Sequence, residues 1–315
     1  MTKYIVNRLL QAIPVFFVVG LITFVLMRIP EGDPATFMAA ENPMITNEQI
    51  DALREDMGLN RPLLVQYLDW QLGLFRGDLG YSYFHDVSVL TIIGQRLPKS
   101  IELGIVALAL ALPVALVGGI LTAVYNGTWI DNVVTALVTA GISIPSFWLG
   151  IVLIIVFAVN LDWLPASGYV SIFEDPIQHI KLIILPAITL AVLLAAPNMR
   201  FLRANLLEVF GQDYIRTARA KGLSEPVVVA RHALKNALIP TVTFIGLQAG
   251  FILSGTVVIE FVFGWTGLGW YTVESIMNSD FLIVQGTVLV FAALFVGINI
   301  IVDVIYAYLD PRIRY

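Results

Sequence analysis

Six long apolar runs, almost free of charge, limit what this chain can fold into more than any other feature. An α-helix rises about 1.5 Å per residue, so about 20 apolar residues cross the hydrocarbon core of a bilayer. Of the 315 residues, 58% are hydrophobic and 13% are charged, against about 25% charged in soluble domains. We predict an all-α integral membrane protein with six transmembrane helices, at residues 9–27, 101–124, 133–159, 182–199, 238–259 and 281–302.

The distribution of basic residues predicts the orientation of these helices. Lysine and arginine concentrate in cytoplasmic loops of membrane proteins. With the N-terminus inside, 11 of the 18 basic residues face the cytoplasm, most of them in the loop at residues 200–237. Six spans then place the C-terminus inside as well. The first apolar run is long for a signal-peptide core, and we interpret it as a retained span.

One sizeable insertion, residues 30–99, is expected on the outer face after the N-terminal tail and first transmembrane helix (residues 1–29). Thr46 and Gln49 form a capping-box pattern that starts a helix, which Gly58 can end. A second helix starts near Pro62 and carries an apolar stripe. We expect helices that lie on the membrane surface or cap the spans. The excess of acidic residues in this insertion indicates either a docking surface for an external partner or a solvated face.

The sequence contains no motif for catalysis or cofactor binding. Phosphate-loop, zinc-protease and nucleophile-elbow patterns are missing. His85, His179 and His232 have no metal-ligand neighbours at helical spacing, and we interpret them as ordinary loop histidines. We therefore expect no catalytic residue, no cofactor and no metal in this chain, and no nucleic-acid partner.

The interiors of the predicted spans lack ionisable groups. Ion-coupled carriers usually bind their coupling ion with such groups. Three polar residues of the fifth span, Gln248, Ser254 and Thr256, could line a pathway or could hold helices together. The pattern indicates a channel or a pump driven from elsewhere. The less favoured alternatives are an ion-coupled carrier and a membrane-embedded enzyme.

Residues 213–240 interrupt the apolar pattern with a basic, helix-forming segment. Asp213 is a candidate N-cap, and Gly222 can take the left-handed position after the helix. Ser224 can then cap a second helix that reaches Ile239. Small residues such as Ala218 allow a partner to approach, and arginines can hold it by forked hydrogen bonds. Alternatively, the segment is simply a positively charged cytoplasmic loop.

This segment resembles the cytoplasmic EAA loop of ABC-importer permeases, in the form used by the dipeptide/oligopeptide (Dpp/Opp) family. The family's R-T-A-x-A-K-G-L pattern stands at residues 216–223, and Gly222 matches its invariant glycine. At Thr266 the family usually has proline. The resemblance covers nearly the whole chain and indicates the B-type subunit. Further matching stretches begin at Gly32, Gly58, Gly77, Ser143, Leu185, Gly246, Gly267 and Asp310.

The resemblance implies a type I ABC importer permease in a bacterial inner membrane, with residues 100–315 as its five-helix core. Its partners would be a C-type permease, two ATPase subunits that carry ATP and magnesium, and a lipid-anchored or periplasmic binding protein. The substrate would be a di- or oligopeptide, with glutathione, nickel chelates and oligosaccharides as alternatives.

Two sets of residues receive roles from the resemblance. The coupling helix, within residues 213–224, would dock on an ATPase and drive alternating access through Arg216, Thr217, Ala218, Arg219, Ala220, Lys221, Gly222, Leu223 and Ser224. The loop between spans five and six would contact the binding protein through Gly264, Trp265, Thr266, Gly267, Leu268 and Gly269.

Overall fold

The computed structural model describes residues 2–29, 33–36 and 46–309. Within helices, the side chains of residues 2–7, 9, 249, 251, 253, 254 and 305–309 are outside the description. The chain divides into two compact units. In the described part, the first unit comprises residues 101–265 and 297–309, and the second comprises residues 2–100 and 266–296.

The described elements are helical except for one short hairpin, in which β1 (Tyr81–Ser82) pairs antiparallel with β2 (Val87–Ser88). Two π-helical segments, Ile154–Asn160 and Val228–Ala233, directly follow α6 and α9. The helices are α1 (Thr2–Leu26), α2 (Asn47–Asp56), α3 (Leu63–Phe75), α4 (Val89–Val124), α5 (Trp129–Ser143), α6 (Ser146–Leu153), α7 (Pro176–Phe210), α8 (Asp213–Ala220), α9 (Glu225–Val227), α10 (Leu234–Phe263), α11 (Leu268–Met277) and α12 (Phe281–Leu309).

The predicted all-α membrane architecture is confirmed. Among the described residues, three helices are long and apolar enough to cross a membrane, namely α4, α7 and Phe281–Val304 of α12. A bent pair, α5 with α6 and its π-helical extension, makes a fourth if it is counted as one span. The first and fifth predicted runs lie in α1 and α10, so each of the six apolar runs is part of a helical segment.

The third predicted span is wrong as a single continuous helix. Trp129–Ser143 and Ser146–Asn160 meet at an angle of 102°. Pro145 lies at the break and has no backbone N–H to continue the hydrogen-bond ladder of α5. Steric contact with its ring favours an extended residue before it, and Ile144 has φ −83° and ψ 126°.

The core of the first unit forms around α7. Leu185 and Leu190 of this helix are fully buried and pack with Ile259 of α10 and Leu103 of α4. Small residues let these helices approach closely, because an apolar lipid gives little hydrophobic drive for association and contact area must supply it. At Gly119, an added Cβ would lie 2.9 Å from Leu202 Cδ2.

Both helices predicted in the insertion are present in the second unit. Thr46 caps α2 with the reciprocal Gln49 bonds of a capping box, and Gly58 follows in the left-handed region at φ 66°. The apolar stripe of α3 is largely exposed on this chain; Gln71 is the buried residue of that helix. An exposed apolar stripe suits a helix that lies on a membrane surface. The β1–β2 hairpin was not predicted.

The contact between α10 and α12 in the first unit yields a stability prediction. A Cβ added at Gly246 would lie 2.5 Å from both Cγ atoms of Val302. We expect Gly246→Ala to lower the free energy of unfolding by about 1–2 kcal/mol because the helices must separate. Gly297→Ala on α12 is the matched control, because its Cβ would meet nothing within 4 Å. Thermal unfolding in detergent measures both.

A double variant checks that the clash is the cause. Adding Val302→Ala removes both Cγ atoms and leaves the new Cβ 3.1 Å from that of residue 302. We expect the double variant to be more stable than the sum of its single changes predicts. Additive losses would contradict the close contact.

Candidate functional site

The basic segment forms a short helix, a turn and a return helix, as the sequence predicted. α8 begins at Asp213 itself, so Asp213 is the first helical residue, and Gln212 occupies the N-cap position without a side-chain bond. The predicted cap is therefore displaced by one residue. The Asp213 carboxylate still lies in the first turn, where a negative charge favours the helix dipole.

The turn after α8 is a Schellman motif. Gly222 has φ 79°, and its N–H donates to the carbonyl of Arg219 at 2.9 Å. The N–H of Leu223 donates to the carbonyl of Ala218 at 3.4 Å. This pair of bonds satisfies the last carbonyls of a helix and requires a left-handed residue, which glycine adopts without a Cβ penalty. The predicted role of Gly222 in the turn is confirmed.

Two side chains of α8, Ile215 and Ala218, are buried. They join a cluster with Leu206 of α7 and Val228 of the return segment. Ala218 therefore contacts its own chain, and its small size serves this packing. The remaining surface of α8 and its turn is solvent-exposed, and includes Tyr214, Arg216, Thr217, Ala220, Lys221, Gly222, Leu223 and Ser224.

An ion pair closes the turn from α8 to α9. Arg219 Nε donates to Glu225 Oε2 at 3.1 Å, and Nη2 donates to Oε1 at 2.5 Å. The hydrogen bonds from Arg219 lower the pKa of Glu225. From the sequence, we expected the guanidinium group of Arg219 to bind a partner protein. In the structure it binds Glu225 of the same chain. Arg216, whose Nη1 lies 3.4 Å from Asp213 Oδ1, and Lys221 are the other exposed cations of this surface.

The return helix runs into the fifth apolar run without a break. Ser224 has the extended backbone of an N-cap, although its side chain makes no cap bond. α9, the π-helical segment and α10 follow one another directly from Glu225 to Phe263, and α10 contains Pro240 in its interior. Tyr214 on α8 accepts a bond from Asn236 Nδ2 at 2.9 Å. The turn is thus attached to a helix about 30 residues long.

The three polar candidates of the fifth span differ in their surroundings. Gln248 Oε1 lies 3.5 Å from Nδ2 of Asn198 on α7, a long contact that joins two helices. Thr256 is fully buried. The side chain of Ser254 lies outside the described part. The roles of these residues in a pathway stay a prediction.

The loop predicted to contact a binding protein is largely buried in this chain. Gly264 is left-handed at φ 59° and ends α10. Trp265 is fully buried in the first unit, and its ring meets Tyr169 at 4.8 Å. In the second unit, Lys99 Nζ donates to Thr266 Oγ1 at 3.1 Å. Gly267, Leu268 and Gly269 are buried, so Gly264 and Thr266 expose most of the surface that the loop offers.

Two of the three histidines interpreted as loop residues are helical: His232 lies in the π-helical segment Val228–Ala233, and His179 is buried in a helix. His179 is in the first turn of α7, not in a loop, and its Nε2 lies 3.2 Å from Glu102 Oε1. Its Nδ1 contacts the carbonyl oxygen of Val170 at 2.8 Å. The ring also packs against Trp265, with centroids 5.7 Å apart. In the sequence, the only indication of this pair was Glu102, a single acidic residue at the start of the second apolar run.

Comparisons with known proteins show which family this chain is similar to. A family profile described as "Binding-protein-dependent transport system inner membrane component" matches residues 115–315. A second profile, for the N-terminal part of such membrane components, matches residues 1–104. The permease of the methionine ABC transporter MetNI, in an inward-facing crystal form, superposes with a TM-score of 0.54 and 18% identity. The match covers 70% of this chain and 97% of that one, and it shows the type I importer fold.

Relatives of known name match over the full length. A putative peptide transport system permease protein of Brucella abortus is 41% identical, with 100% of both chains covered. The glutathione transport system permease protein GsiC of Escherichia coli K12 is 40% identical, again with 100% of both chains covered. The chain belongs to the family of inner membrane permease components of binding-protein-dependent (ABC) transport systems, in its Dpp/Opp-type branch.

Proposed function

We propose that this chain is one of two permeases in an ATP-driven importer of dipeptides or oligopeptides, with its N- and C-termini in the cytoplasm of a bacterium. The relatives named as peptide permeases support the substrate class. The observation that carries the mechanism is the exposed α8 surface, held rigidly by the Gly222 turn on a continuous helix of the bundle. The partners would be a C-type permease, two ATPase subunits and an external binding protein.

The α8 surface is suited to contact a partner subunit and to transmit the movement of that subunit. Tyr214 of α8, Leu223 of the turn and Val227 of α9 are apolar side chains that are 39–44% exposed and can fill a groove. Arg216 and Lys221 supply charge at its edge. Ile215 below fixes the helix to the core, so a displacement of α8 must move α10 with it. In this proposal the ATPase dimer closes on ATP, α8 moves, and the bundle opens outward to accept a peptide.

The alternative substrate with a specific observation in its favour is glutathione, because a full-length relative at 40% identity carries that name. Glutathione is itself a short peptide with free carboxylates, so the same permease core could serve either molecule. Competition between labelled dialanine and glutathione for uptake by the assembled importer distinguishes the two.

Cysteine cross-linking tests the coupling surface directly. The chain has no cysteine, so single substitutions need no altered background. We expect Ala220→Cys, on the exposed side of α8, to cross-link to a cysteine in the groove of a co-expressed ATPase subunit. Ala218→Cys is the matched control, because it is the same residue type on the same helix but 5% exposed. Equal cross-linking of both variants, or of neither, contradicts the proposed docking surface.

A further inference from the structure

A half-buried arginine, with no carboxylate partner among the described residues, lies in the second unit. Arg28 follows the end of α1, and its guanidinium carbon lies 3.5 Å from the ring centroid of Phe24. Its Nη1 donates to the Phe24 carbonyl at 3.2 Å, and its Nη2 donates to Gln66 Oε1 at 2.8 Å. It forms no ion pair with any residue that the structure describes. Burial lowers the pKa of Arg28 to about 10, so the side chain stays charged at neutral pH.

A buried donor without a partner among the described residues lies in the same unit. Gln285, in the second turn of α12, is 1% exposed, and its Nε2 has no hydrogen-bond partner among the described residues. Buried amide donors in proteins are nearly always paired, because an unpaired one loses its bond to water without compensation. A donor of this kind at the wall of a cavity can be completed by water or by a ligand.

Arg28 and Gln285 line the same two cavities of the second unit. The cavities have volumes of about 70 and 250 Å³ and also share Met57 and Leu282 in their walls. Aromatic side chains, including that of Phe84, add apolar surface to the smaller one.

The acidic side chains in the walls of these cavities do not pair with Arg28. Asp69 accepts from Arg61 Nη1 at 2.9 Å, and Asp280 accepts a hydrogen bond from the Ser82 hydroxyl. Asp56 is solvent-exposed. The polar side chains at the wall that both cavities share are those of Arg28 and Gln285, one of them charged. Such a wall complements an anion with two oxygen atoms, because an arginine fork matches the geometry of a carboxylate.

We propose that Arg28 and Gln285 form a binding site on the permease itself for the terminal carboxylate of a short peptide. The choice of a peptide as the source of the carboxylate rests on the proposed function. Met57, Leu282 and Phe84 would contact the rest of the peptide without demanding a particular side chain. The permease would thus recognise a feature that all peptides with a free C-terminus share.

Equilibrium binding to the full chain in phosphatidylcholine nanodiscs, without a binding protein, tests this site. We expect saturable binding of labelled dialanine, and binding of dialanine amide at least about tenfold weaker, since the amide lacks the charge that pairs with Arg28. Arg28→Gln should weaken dialanine binding by a similar factor. Arg76→Gln is the control, because that arginine of the same unit is exposed and lines neither cavity, and it should leave the affinity unchanged.

Gln285→Met separates a ligand-binding role from a structural one. The change removes an unpaired buried donor and keeps the length of the side chain. We expect a higher unfolding temperature together with dialanine binding several-fold weaker. A purely structural glutamine would lose stability and leave the affinity unchanged.

Three results would overturn the proposal: no saturable binding of dialanine, equal binding of the acid and the amide, or unchanged binding by Arg28→Gln. Loss of dialanine binding when phosphatidylglycerol replaces phosphatidylcholine would also overturn it, since a lipid headgroup would then be the occupant. None of these results affects the cross-link from residue 220, so a failure of this site is distinguishable from a failure of the proposed function.

Discussion

Gly222→Val is expected to reduce ATP-driven peptide uptake by the assembled importer at least about tenfold while the ATPase subunits still hydrolyse ATP. Gly222 is left-handed at φ 79°, where a residue with a Cβ is strained by about 1–2 kcal/mol and a β-branched one by more. The strain opens the Schellman turn and separates the motion of α8 from α10. Parallel measurements of uptake and hydrolysis in proteoliposomes check the result.

Two controls show whether the turn itself matters. Gly77 ends α3 in the same Schellman geometry, at φ 77°, and, like Gly222, a Cβ there would meet nothing within 4 Å. Gly77→Val therefore carries the same backbone strain outside the coupling segment and should preserve most uptake. Gly222→Asn should also transport, because asparagine tolerates the left-handed region. Normal uptake by Gly222→Val would contradict the role of the turn.

Asp131→Ala is expected to lower the free energy of unfolding by about 3 kcal/mol, the largest stability change that we predict. Asp131 is 4% exposed, and it accepts bonds from Arg203 Nη2 at 2.8 Å and from Gly127 N at 3.0 Å. Its removal leaves the partly buried Arg203 without a counter-charge. Removing one partner of a buried ion pair costs more stability than replacing both partners by apolar residues. Arg203 keeps its bond to Asn126 Oδ1, which places the cost at the lower end of the range for buried pairs.

A fall of several degrees in apparent unfolding temperature, measured in detergent with the chain intact, would support this. Asp69→Ala is the matched control: it also breaks an Asp–Arg pair, with Arg61, but both side chains are more than half exposed. Exposed pairs contribute less than about 1 kcal/mol. If the two variants lose equal stability, Asp131 does not hold α5 to α7 as the contacts indicate.

Local patterns in the sequence predicted local structure well. The capping box at Thr46, the left-handed Gly58 and the turn at Gly222 each depend on the dihedral angles of a few neighbouring residues, which the residue types restrict. The six long apolar runs predicted helices, since a single segment inside a bilayer can pair its own backbone groups only as a helix. The family and its type I fold were also predictable, because the EAA-like motif depends on the same local turn.

Partnerships between distant residues were not predictable. The Asp131–Arg203 pair spans 72 positions, and nothing near either residue indicates the other. The inward direction of Ala218 depends on how α8 packs against Leu206, not on the sequence of α8. The 102° break at Pro145 was not predicted, because it depends on the tertiary packing of both helices. The same limit applies to Arg28, whose surroundings come from three separate segments.

Uptake of labelled dialanine into proteoliposomes tests the central claim most directly, with the two permeases reconstituted alone or together with their ATPase subunits and the binding protein. We predict accumulation against a gradient with the complete set and ATP inside the cytoplasmic compartment, and none when the ATPase subunits are omitted, whatever ion gradient is imposed. Accumulation by the permeases alone, driven by a proton or sodium gradient, would contradict the proposal that ATPase subunits drive the permease through α8.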